Sequence, residues 1–150
     1  MVQFYFLSLV LLIIGAVILL EEQFASRVPL VQTIRSYCLD STTSRVVLIV
    51  ITATVGIMKL ITPINPGPAV IGDLFPAINL LGLCGFYIFE GKRLEASAVE
   101  EVEVNMEEGE QPEESIEKVK SFYYTNKKII GYVTVGVAFF HFLFPGAVLL

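Results

Sequence analysis

At 150 residues the chain has room for one domain, and a 55% hydrophobic share with mean hydropathy +0.72 lies far above a soluble domain. The net charge of −5 conceals a split: residues 95–117 carry ten glutamates and no Lys or Arg, which leaves the rest of the chain at +5. A single His and two distant Cys argue against a protein-only zinc centre or a disulfide framework, and no phosphate loop, basic nucleic-acid patch or nucleophile–base motif is present.

The first apolar run covers residues 3–20. No basic segment precedes it and no small-residue cleavage motif follows it, so an uncleaved membrane helix is expected rather than a signal peptide. In the polar stretch 21–45, Phe24, Val28, Val31, Ile34 and Cys38 recur at helical spacing, with Arg27, Gln32 and Arg35 off that stripe. This predicts a short amphipathic helix on the membrane surface or beneath the bundle. The second run, 46–62, has seventeen residues and at about 1.5 Å per residue barely reaches the hydrocarbon thickness. Lys59 lies near its end, where it can snorkel.

Four of the seven prolines (Pro63, Pro66, Pro68, Pro76) follow within residues 59–93. Residues 63–72 cannot be regular helix, because each proline removes a donor and clashes with the preceding turn. Asp73 reads as the N-cap of a third membrane helix, 74–90, with Pro76 in its first turn, Asn79 one turn inside, and Gly82 and Gly85 as a small patch. The connection 91–128 is acidic. Residues 95–107 are expected to prolong the third helix, and 112–126 to return as another that starts at Gln111-Pro112-Glu113-Glu114. The fourth membrane helix is placed at 129–144 and ends at Pro145-Gly146.

These elements predict an all-α integral membrane protein, a single domain of four transmembrane helices arranged as two hairpins, with amphipathic helices outside the membrane. Nine bases (Arg27, Arg35, Arg45, Lys92, Arg93, Lys118, Lys120, Lys127, Lys128) flank the two long connections, against Lys59 alone on the other side. The positive-inside rule then puts both connections in the cytoplasm and both termini outside, in a cell inner membrane. A shift of 82 positions overlays the second run on the fourth: Thr52 on Thr134, Val55 on Val137, Gly56 on Ala138, Lys59 on His141 and Pro63 on Pro145. The first and third runs match more weakly, with Gly15-Ala16 on Cys84-Gly85 and Glu21 on Glu90. A parallel internal repeat is one reading; chance likeness of apolar helices is the other.

Polar residues inside a membrane are the natural place to seek function. Lys59, Asp73, Asn79 and His141 all project to its outer third. As a relay or ion site, His141 would titrate and Lys59 would pair with Asp73. The structural reading has Lys59 snorkelling, Asp73 capping, Asn79 bonded to backbone and His141 filling a helix contact. It is preferred, since no acid lies at mid-depth. Ordinary packing is likewise preferred to a quinone or lipid groove around residues 139–144. In the acidic connection, Glu100, Glu101, Glu107 and Glu108 are candidates for docking a basic cytoplasmic partner. The expected function is a non-catalytic membrane subunit, without cofactor or nucleic acid, that scaffolds a larger assembly in the lipid bilayer with other membrane-protein subunits. The competing reading is a homo-oligomeric channel or small transporter whose path is lined by the Thr52/Gly56/Lys59 and Thr134/Ala138/His141 faces.

Overall fold

A computed structural model describes residues 2–61, 74–100 and 114–143, and among these the chain is helical with no strand. The helices are α1 (Val2–Leu19), α2 (Glu21–Phe24), α3 (Pro29–Leu39), α4 (Thr42–Ile61), α5 (Leu74–Glu100), α6 (Glu114–Thr125) and α7 (Lys127–Leu143). Two of them are long and apolar enough to cross a membrane: α4, and α5 over Leu74–Glu95. The apolar part of α1, Gln3–Leu19, is shorter, and α7 has 17 residues. The proline-rich turn, Asp73 and residues 101–113 lie outside the described residues.

Several boundaries depart from the sequence reading for local reasons. The Phe24–Cys38 stripe is not one helix. Val28 is extended (φ −131°, ψ 95°) and Pro29 opens α3 at its first position, where a proline loses no hydrogen bond. Phe24 therefore closes α2, and only Val31, Ile34 and Cys38 stay on α3. α4 begins four residues earlier than the apolar run, because Thr42 to Arg45 join the helix. The prolongation of the third helix expected over 95–107 is described as far as Glu100, and the return helix expected over 112–126 is described as Glu114–Thr125.

The long contacts of the bundle are α4 along α5 and α1 along α7. The α1–α5, α1–α4 and α5–α7 contacts are all lighter, and the backbones of α4 and α7 do not meet. The core forms between these helices from Leu12, Ile18, Leu39, Leu80, Leu83 and Phe86, all essentially inaccessible. Outward faces remain apolar: Val47, Val50 and Ile57 on α4, and Val133, Phe139 and Phe142 on α7 are exposed. α1 and α7 approach closely because position 131 carries no side chain. A Cβ there would stand 2.7 Å from Leu20 Cγ and 3.2 Å from Leu19 Cβ.

Positions 82 apart occupy like places. Thr52, Gly56 and Lys59 are buried on α4, and Thr134, Ala138 and His141 are buried on α7. At the other end Arg45 ties α4 to Glu95 of α5, and Lys127, 82 positions on, ties α7 to Glu22 beside α1.

Candidate functional site

Two polar centres lie at opposite ends of the bundle. At the end away from α2, α3 and α6, the last turns of α4 and α7 bring Lys59 and His141 inward, 5% and 3% exposed. Their side chains bridge helices whose backbones never touch, with Lys59 Nζ 3.2 Å from His141 Nε2. An ammonium only donates, so the imidazole nitrogen is the acceptor in this bond. Lys59 does not snorkel outward. The reason is geometric: Thr52, Gly56 and Lys59 share one helix face, and that face is turned into the bundle.

α1 completes this cluster. Tyr5 OH donates to the His141 carbonyl oxygen at 2.6 Å, and its ring lies 4.6 Å from the imidazole, centroid to centroid. Lys59 Nζ stands 6.0 Å from the centre of the Tyr5 ring. Ser8 Oγ donates to the Tyr5 carbonyl at 2.7 Å and sits 3.5 Å from His141 Nε2. The Ser8–His141 contact is too long to activate the hydroxyl, whose proton already serves Tyr5 while Lys59 occupies the ring nitrogen. The arrangement thus ties three helices together.

Deeper in the bundle, Thr134 Oγ1 lies 2.8 Å from the Ile130 carbonyl and 3.0 Å from Asn79 Oδ1. A hydroxyl has one proton, so it serves one of these, and the amide of Asn79 satisfies the other if its donor end faces Thr134. Asn79 therefore meets a side chain on α7 and not the backbone anticipated from sequence. Thr52 Oγ1, the counterpart of Thr134, is buried without a hydrogen-bond partner among the described residues.

The second centre lies at the end carrying the connecting helices. Glu90 is 3% exposed and accepts from Tyr124 OH at 2.9 Å, with Arg35 and Arg93 guanidinium nitrogens each at 3.4 Å. Arg35 also reaches Glu21 at 2.9 Å and Asp40 at 3.5 Å. One guanidinium on α3 therefore bridges the start of α2, the end of its own helix and α5. Arg45, 4% exposed, donates to the Leu39 carbonyl at 3.3 Å and pairs with Glu95. Its side chain lies across Gly91, where a Cβ would fall 2.7 Å from Arg45 Nε. Lys127 pairs with Glu22 at 2.8 Å, and Tyr132 OH donates to Gln23 at 2.6 Å.

These partners shift titrations. Burial, then the hydrogen bond to Glu90 and its charge, push the Tyr124 phenol up to about 12, with Arg93 opposing. The Lys127 hydrogen bond and charge hold the Glu22 carboxyl below its ordinary value. Burial pushes the Cys38 thiol up, and Cys38 and Cys84 are both free.

Of the residues singled out from sequence, Lys59 and His141 come together, and Asn79 joins Thr134 one to two turns away. Asp73, Glu101, Glu107 and Glu108 fall outside the described residues, and Glu100 is the last residue of α5. Sequence reasoning missed Tyr5, Ser8 and the Arg35–Glu90–Tyr124 network. Tyr5 and Ser8, three apart on one helix face, were the available signal for the first; Glu90 at the rim of an apolar run was the signal for the second. No group of metal-ligating side chains forms among the described residues.

A protein-family model matches residues 1–141, and its description assigns no activity. No curated protein and no solved structure matches the chain.

Proposed function

We propose that this chain, which belongs to the family whose model spans residues 1–141, is a four-span membrane protein of two like hairpins that scaffolds a larger membrane assembly. On this reading α1, α4, the apolar part of α5 and α7 cross the bilayer. The connecting helices lie on the cytoplasmic side, and the cell inner membrane is its setting. The exposed apolar faces of α4 and α7 favour a lipid setting, where every backbone group must be satisfied within a helix. The hairpins α1–α4 and α5–α7 exchange under a two-fold operation. On this reading the α4–α5 contact corresponds to α7–α1, and an ion pair anchors the start of α4 and of α7 alike, Arg45 to Glu95 and Lys127 to Glu22. Lys59 meeting its own counterpart His141 is what residues at such an axis do.

One observation carries the scaffold reading over the channel reading. Gly56 packs on Leu80 and Leu81 of α5, and Thr134 meets Asn79, contacts between helices of one chain that support the scaffold reading. A non-catalytic role is consistent with the Ser8 hydroxyl proton being spent on the Tyr5 carbonyl. Mild solubilisation of the native membrane, followed by mass spectrometry of the purified assembly, tests this. Other membrane subunits in fixed ratio are expected. A chain that purifies alone and passes ions or small solutes when reconstituted would favour the channel.

A further inference from the structure

Between α1 and α7 lies an open groove of about 590 Å³, bordered at one end by α2 and the start of α3. Every side chain lining it is apolar, among them Leu9, Ile13, Val17, Phe24, Val31 and Phe139. Its volume is in the range of small-molecule sites, but it has no polar group to orient a polar ligand. We propose that it holds one acyl chain of an anionic phospholipid from the cytoplasmic leaflet, an inference that rests on the four-span reading above.

Three observations select that occupant. The groove runs along α1 from Leu9 to Leu20, about 16 Å at the helical rise. That is close to half of the roughly 30 Å hydrocarbon core, the reach of one leaflet. Among the described residues, the exposed bases beside the groove stand at its connection end. Lys128 lies on the same face of α7 as Tyr132, Val135, Phe139 and Phe142, and Arg27 sits between Phe24 and Val28; both bases are exposed. Glu22 is near but is already bound by Lys127. A phosphate at the headgroup level would meet two bases with its chain in the groove.

The third observation comes from the other half of the molecule. There the matching positions on α5 are Gly82 and Gly85, and Tyr123 of α6 lies over them, its hydroxyl 3.3 Å from where a Gly85 Cβ would stand. Its ring packs on Phe86 and Phe89 with centroids 6.4 and 5.8 Å away. The fold thus fills this position from its own chain on one side. On the other, Ile13 and Ala16 floor an open groove, with Ile13 50% exposed. An apolar chain of similar girth completes the pair.

The chain contains no Trp, so a single introduced one reports alone. Val17→Trp places it in the groove, and Val47→Trp places it on the exposed face of α4 at similar depth. In vesicles with increasing brominated phospholipid, Val17→Trp should quench half-maximally at a roughly five- to thirty-fold lower mole fraction of anionic than of zwitterionic lipid, the pull of one to two bases near the headgroups. Val47→Trp should follow bulk composition with both. Arg27→Gln with Lys128→Gln should abolish the preference while leaving Val17→Trp quenched. Identical curves for both reporters would overturn the site, as would a Val17→Trp shielded from every lipid by a second copy of the chain. If Val47→Trp is not quenched at all, the membrane reading itself fails, a different outcome from failure of the site.

Discussion

The two ends of the bundle solve opposite problems. At the connection end a buried acid, Glu90, gathers positive and hydroxyl donors from α3, α5 and α6, so opposite charges are brought together where the helices enter and leave. At the far end two basic side chains face each other, and alignment rests on which nitrogen accepts and on Tyr5 and Ser8. Attraction organises the first end and directional hydrogen bonding the second. Charge removal should therefore damage the connection end most, and shape-preserving removal of hydrogen-bonding atoms should suffice to loosen the far end.

The largest effect is expected at Glu90. Glu90→Gln removes the buried charge that Tyr124, Arg35 and Arg93 share, and hydrogen bonds to a charged group are worth about 1.5–3 kcal/mol each. Unfolding of the purified protein in detergent measures it. Glu22→Gln is the control: Glu22 is 65% exposed, and an exposed pair is worth under about 1 kcal/mol. Similar losses for both variants would remove the distinction between a buried organiser and a surface pair.

At the far end the comparison is sharpened by a double-mutant cycle. Lys59→Met and His141→Phe should each cost about 1–3 kcal/mol, because each leaves the other's buried hydrogen-bonding atom without this partner. The double variant should cost less than the sum, with a coupling of about 1 kcal/mol. Strict additivity would mean that the 3.2 Å contact contributes nothing on its own.

These expectations show what the sequence could and could not reveal. The 82-position repeat placed Thr52, Gly56 and Lys59 in register with Thr134, Ala138 and His141, because a helix face is a matter of spacing. That Lys59 would turn inward was not legible. Snorkelling and burial are equally compatible with a base near a helix end, and only the packing of α1 beside α4 and α7 decides. The break comes at Pro29, which a reading of apolar spacing alone does not register. Arg35 and Glu90 stand 55 positions apart, and no local period connects them.

A smaller effect should appear in alkali. The Tyr124 phenol is raised from the ordinary value of 10.0 to about 12 in the folded protein. A raised phenol binds its proton more tightly folded than unfolded, so its contribution is complete below about pH 10 and is lost as the pH climbs through about 12. Stability of Tyr124→Phe should therefore decline less than wild type across that window. Parallel curves would place Tyr124 in a setting no different from water.

The central claim is that the chain crosses the bilayer four times, with the connecting helices on one side and the link between α4 and α5 on the other. Cysteine labelling tests it most directly, after Cys38 and Cys84 are replaced by Ser. In sealed vesicles of known orientation, Gly67→Cys should react with a membrane-impermeant maleimide from the outside only, and Glu108→Cys from the cytoplasmic side only. Labelling of both from the same face would contradict the four-span architecture.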